Sequence, residues 1–175
     1  DGCSGYHYSD KVIYGFSHTH LSGTGCLDYG DILFIPTIKA WSEKDFSMTF
    51  SHKNETASAG YYAISNLNNQ SIDAFLTTTP RVGFHKYSFP ASAKQTSIII
   101  DLLWRDELLD CSYKILNDST IVGYRCSKSW NENQKIFFAT IFSQKISKHK
   151  FDEQTKKLFL EFELAEANNK KTIEA

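Results

Sequence analysis

What most constrains this chain is a recurring unit: a short run of β-branched and aromatic residues, broken after a few positions by Asn, Asp, Ser or Gly. The runs fall at residues 32–35, 48–51, 61–65, 72–77 and 82–89, then at 97–103, 111–116, 120–126, 135–142 and 157–163. Runs of this length, bounded by turn formers, read as strands, and a long series of them reads as an all-β fold, an antiparallel β-sandwich. Composition agrees: 13 Phe and 9 Tyr bring the aromatic share to 14%, and such residues fit a pleated, half-buried surface. Alternation is clearest where Tyr113 and Ile115 flank Lys114, and where Leu158, Leu160 and Phe162 oppose Glu161 and Glu163. Phe159 breaks the second pattern by falling on the polar side. Asn117-Asp118-Ser119 is a hairpin turn candidate that lacks Gly. A helix competes only over 98–109, where Leu102, Leu103, Leu108 and Leu109 would share a face, but the Ile98-Ile99-Ile100 opening favours strand first.

The 175 residues suffice for one sizeable core, and no low-complexity segment marks a linker. One domain, residues 1–175, is the reading. Ile173 hints at one more strand in the polar tail, and Asp1 is not expected to be a native start. With 19 basic and 20 acidic residues and no run of either sign, the chain has no concentrated basic face for nucleic acid. No window approaches the roughly 18 apolar residues of a membrane-spanning helix. The four cysteines, Cys3, Cys26, Cys111 and Cys126, lack a CxxC pair and so lack zinc-ribbon spacing; they would permit three disulfide pairings, among which the sequence does not choose, and isolated buried thiols are the plainer expectation.

The densest chemistry lies between Gly15 and Asp31. His18 and His20 stand two apart, so on a strand they face one side, where Asp28 or Asp31 would complete a metal site. The plainer reading is a loop whose Gly23-Thr24-Gly25 turn brings backbone close to a ligand. Ser17 beside His18 does not make a nucleophile and base, because no Gly-x-Ser-x-Gly elbow is present. Asp28 and Asp31 are the minimum pair for glycoside hydrolysis, but three residues apart in a loop they suit turn capping better. Three further segments, 50–62, 77–90 and 122–130, mix aromatic and polar side chains as sugar sites do. Asn54-Glu55-Thr56, Asn69-Gln70-Ser71 and Asn117-Asp118-Ser119 match the glycosylation sequon, which a chain rich in Asn and Ser reaches by chance.

In this order the four segments resemble the N-terminal domain of glycoside hydrolase family 92, the calcium-dependent exo-α-mannosidases. The matching stretches are Gly15-Phe16-Ser17-His18-Thr19-His20-Leu21-Ser22-Gly23-Thr24-Gly25 with Asp28-Tyr29-Gly30-Asp31, and Phe50-Ser51-His52-Lys53-Asn54-Glu55 with Gly60-Tyr61-Tyr62. They continue through Thr79-Pro80-Arg81-Val82-Gly83-Phe84-His85 and Gly123-Tyr124-Arg125 with Trp130. The resemblance covers roughly residues 1–143. Ala59 stands where the family pattern has Pro, and Cys126-Ser127 replaces a commoner basic or small pair.

The resemblance implies a galactose-mutarotase-like supersandwich truncated from a two-domain enzyme, whose larger (α/α)6 domain carries the general acid, the general base and most calcium ligands. It implies hydrolysis of terminal mannose on N-glycans with inversion, an α-1,2 preference, and a secreted or periplasmic location. Calcium is expected in the full-length enzyme and not in this fragment, which is expected to be inactive alone. The expected partners are a mannose-containing glycan and the protein's own C-terminal helical domain, with no nucleic acid and no membrane. His18, Thr19, His20, Ser22, Gly23, Thr24, Gly25 and Asp28 are expected to shape the pocket. Trp41, His52, Glu55, Arg81 and His85 are candidates for its rim or the domain interface, with hydrogen bonding inside the sandwich the plainer role for both histidines. The rival reading is a free-standing carbohydrate-binding module.

Overall fold

A computed structural model describes residues 5–19, 28–164 and 170–175. Among the described residues fourteen strands follow one another: β1 Val12–Ile13, β2 Leu33–Thr37, β3 Met48–Thr49, β4 Glu55–Ser58, β5 Tyr61–Leu67, β6 Ile72–Thr78 and β7 Gly83–Pro90. The rest are β8 Ser97–Asp101, β9 Glu107–Asn117, β10 Thr120–Lys128, β11 Gln134–Ile141, β12 Ile146–Asp152, β13 Lys157–Phe162 and β14 Lys170–Glu174. A single 3-10 turn, His52–Asn54, is the only helical element among the described residues. Every strand pairing among the described residues is antiparallel.

The strands form a five-stranded sheet in the order β14-β7-β6-β5-β4, a four-stranded sheet β12-β13-β8-β2, a three-stranded sheet β11-β10-β9, and a β1-β3 pair. Burial follows the pleat where one face is wet: along β11, Lys135, Phe137, Ala139 and Ile141 are exposed while their neighbours turn inward. It fails to alternate where both faces are covered. Ile98, Ile99 and Ile100 of β8 are all fully buried, as a strand sandwiched between layers must be. One apolar cluster joins the sheets: Phe34 of β2, Tyr87 and Phe89 of β7, Leu158 and Leu160 of β13, and Ile173 of β14.

The helical alternative over 98–109 does not occur. Leu102 is fully buried and Leu103 is 42% exposed, so the leucines share no face. The chain bends after Asp101 and resumes as β9 at Glu107. The β9–β10 hairpin turns on Asp118-Ser119, and the missing glycine is compensated by Asn117, whose Oδ1 accepts the Ser119 backbone N–H at 2.9 Å. The strand foreshadowed by Ile173 is β14, whose backbone pairs with β7. Strands β1, β4 and β12 carry no sequence signal of comparable strength; β12, Ile146–Asp152, reads as charged and is mostly exposed. Cys111 and Cys126 are free thiols; Cys3 and Cys26 lie outside the described residues.

Candidate functional site

The segment 28–31 is held by buried side chains that come from distant strands. Arg125 on β10, 1% exposed, pairs with Asp31 through one guanidinium nitrogen and with Asp106 through the other. Its remaining donors reach the carbonyls of Leu102 at 2.9 Å and Trp104 at 3.0 Å. The second oxygen of Asp31 accepts from Gln134 at 2.7 Å and from the Thr19 hydroxyl at 3.1 Å. Asp28 accepts two backbone N–H groups, those of Trp130 at 3.2 Å and Asn131 at 2.9 Å. Both carboxylates therefore hold loops together: Asp31 is enclosed by three side-chain donors, and Asp28 takes one backbone N–H on each oxygen. Backbone strain accumulates in the same place: Tyr29 and the β-branched Ile32 sit at φ of 66° and 55°, a region non-glycine residues enter at a cost.

This frame positions His18. The pairing of Phe16 with Phe34 sets successive residues on opposite faces, so Ser17 borders one cleft and His18 another. The His18 ring donates from Nδ1 to the Ile32 carbonyl at 3.1 Å, which leaves Nε2 as its acceptor. Its ring stacks on His85, 4.4 Å between centroids and 11° between planes, and both lie edge-on to Phe34. Gly83 is the reason that the ring fits, because a Cβ there would come within 2.6 Å of His18 Cδ2. Gly83→Ala is expected to displace the His18 ring while β7 persists, detected as a shifted His18 imidazole resonance with unchanged strand content by circular dichroism.

His85 is buried, and desolvation, aided by the neighbouring His18, lowers its pKa to about 3. Burial lowers His18 too, against the Ile32 hydrogen bond that raises it, and part of its surface stays open to solvent. Tyr87, whose phenol full burial keeps protonated, faces His85 Nδ1 at 2.7 Å. The pair is thus a neutral, polarisable floor and not a cationic one.

That floor underlies a groove of about 390 Å³ lined by His18, Thr19, the hairpin tip 78–83, the strand 136–140 and Ala175. The tip is stiffened by the Thr79 N–H on the Val82 carbonyl at 2.8 Å and the Thr78 hydroxyl on the same carbonyl at 3.1 Å, and it presents exposed Arg81. Among the described residues no side-chain carboxylate lines the groove.

His18, Thr19 and Arg81 are thus brought together, with His85 directly behind. Asp28 lies nearby in sequence but serves the 130–131 turn. Trp41 is elsewhere: its indole N–H donates to Ser97 Oγ at 3.0 Å and its ring packs on Phe159. His52 and Glu55 form their own cluster. Glu55 binds His52 Nδ1 and accepts from Tyr62 at 2.6 Å and Tyr6 at 3.3 Å, while Tyr8 stacks on the His52 ring at 4.3 Å. Burial and then this carboxylate push the Tyr62 phenol well up. His20, Ser22, Gly23, Thr24 and Gly25 lie outside the described residues. Sequence reasoning missed Arg125 and Gly83 as organisers of the site, although an arginine on the inward period of β10 was a readable signal.

Fold and groove define a layered antiparallel sandwich domain with an open, one-sided site built from neutral imidazoles, hydroxyls and a guanidinium. The model of the glycosyl hydrolase family 92 N-terminal domain matches residues 1–175, and the chain belongs to that family. It is similar to a family GH92 α-mannosidase from Bacteroides thetaiotaomicron in two solved structures, one in complex with mannoimidazole, each at 28% identity and a TM-score of 0.84. The likeness covers 98% of this chain but only 26% and 27% of those chains. No curated protein matches.

Proposed function

We propose that this chain is one wall of the active-site cleft of an inverting exo-α-mannosidase that removes terminal α-1,2-linked mannose from N-glycans, in a secreted or periplasmic protein. The supporting observation is the one-sided groove of His18, Thr19 and Arg81, which offers donors and acceptors for sugar hydroxyls but no described side-chain carboxylate to protonate a leaving group or activate water. A domain that aligns over 98% of its length with about a quarter of a mannosidase fits the same reading. The acid, the base and the calcium ligands are then supplied by a C-terminal helical domain.

Calcium itself does not fit the described residues. They contain no cluster of three or more His, Cys, Asp or Glu able to hold a metal, and the oxygens of Asp28 and Asp31 are already engaged. What this chain does toward the reaction is bind and orient. Arg81 and Thr19 meet hydroxyls, and the His18 ring, backed by the buried His85, gives the sugar a floor that stays uncharged near neutral pH.

The test is kinetic. The 175-residue chain is expected to leave aryl α-mannosides intact, whereas the full-length protein hydrolyses them and releases β-mannose first by proton NMR. In that protein Arg81→Ala is expected to raise KM about tenfold with a smaller change in kcat, as loss of uniform binding does. Turnover by the chain alone, or an unchanged kcat/KM for Arg81→Ala, overturns the assignment. Micromolar mannoside binding in the His18 groove by the chain alone would favour the free-standing module.

A further inference from the structure

A second and larger cleft, about 680 Å³, lies on the other face of the 15–17 segment, lined among others by Tyr6, Lys11, Tyr14, Ser17, Trp104 and Arg105. We infer that this cleft is a second sugar site, in which a pyranose ring stacks on Tyr14 beside Trp104 and its hydroxyls are gripped by Arg105. The inference rests on the mannosidase reading for the kind of sugar, and on three features of the cleft for its existence.

The first feature is Arg105. It occupies the bend between β8 and β9 at a φ of 86°, a conformation glycine adopts without strain and arginine does not. A bend alone gives no reason for that choice, so the side chain has a use. The second is the space made for it. Gly30, itself at φ 95°, lies against the arginine, and a Cβ there would sit 3.1 Å from Arg105 Cδ and 3.3 Å from one guanidinium nitrogen. Among the described residues neither Arg105 nor Lys11 forms an ion pair. A positioned guanidinium with free donors is therefore held on the wall of a cleft.

The third feature is the aromatic wall. Tyr14 is 55% exposed and its ring packs 5.2 Å from that of Trp104 at 32°, so the pair is braced while the tyrosine still offers surface. Apolar ring surface beside a few placed polar groups, at a volume within the few-hundred to thousand Å³ of small-molecule sites, is the chemistry of a sugar ring with its C–H face and its hydroxyl edge. This cleft shares no lining residue with the His18 groove, so it would hold a different residue of the same branched glycan, or a second glycan.

Arg105→Gly gives a test free of the usual folding objection, since it removes the side chain and relieves the backbone at once. The 175-residue chain, labelled with 15N, is titrated with α-1,2-mannobiose. Saturable shifts are expected at the Trp104 indole N–H and the Arg105 Nε–H, and Arg81→Ala should leave them in place. Arg105→Gly is expected to raise Tm by about 2–4 °C and to weaken this binding at least tenfold, and Tyr14→Ala to weaken it as well. Shifts confined to the His18 groove, no saturable binding, full affinity in Arg105→Gly, or a lowered Tm for that variant each overturn the inference. A full-length protein that binds mannobiose at Trp104 yet hydrolyses no mannoside would overturn the functional reading and leave this one standing.

Discussion

Arg125→Met is expected to lower the free energy of unfolding by about 3–5 kcal/mol, the cost of leaving buried carboxylates without their partner. Asp31 and Asp106 have side chains 0% and 2% exposed, so neither can turn to water when the guanidinium goes. Methionine keeps much of the volume, which makes the loss electrostatic and not a cavity effect. The variant also strips the Leu102 and Trp104 carbonyls of their donors. The check is the urea midpoint of the purified chain at constant m-value. Arg125→Met with Asp31→Asn and Asp106→Asn is expected to recover part of the loss, because the orphaned charges are then gone. A single-variant loss under about 1 kcal/mol would contradict a dry, tightly coupled triad, since that is the size of a solvated surface pair.

Acid is expected to weaken the fold through the stacked histidines. His85 holds a pKa of about 3 in the folded chain against an ordinary 6.5, so between those values the unfolded chain binds more protons. Stability therefore falls as pH drops through 6.5 and levels off near 3. From pH 7 to pH 5 the loss assigned to His85 is about 2 kcal/mol. The titratable groups facing it are His18 and Tyr87; His18, also lowered, adds in the same direction, while the Tyr87 phenol does not titrate there. Urea titrations at pH 7, 6 and 5 check this, with His85→Gln expected to flatten the profile. An equally steep profile in that variant would place the acid sensitivity elsewhere.

The sheets were legible in the sequence because burial on one face leaves a period of two, and burial on both leaves an apolar run such as Ile98-Ile99-Ile100. Strands without either mark were not. Ile146–Asp152 carries Lys148, His149 and Lys150, and it is a strand because Leu158, Phe159 and Leu160 offer it a ladder. Glu55–Ser58 is drawn into register by β5 in the same way. Where periodicity left a helix competing with strand over 98–109, the chain bends instead, because Arg125 claims the Leu102 and Trp104 carbonyls, a bond across 23 residues in one case that no local pattern encodes. The site divides along the same line. His18, Thr19 and Arg81 were nameable from chemistry-bearing segments, and the fold places them around one groove. That Gly83 is the space for His18, and Gly30 the space for Arg105, is visible only once distant segments are in contact.

One consequence concerns Asp28. It follows the 20–27 segment in the chain and grips the backbone at Trp130 and Asn131, at the tip that joins β10 to β11. Trp130 is 80% exposed, so its indole emits from water and only a partner that covers the ring would shift that emission. Because Asp28 pins the backbone at 130 and 131, that ring is presented to solvent from a fixed tip, ready to report whatever docks over it.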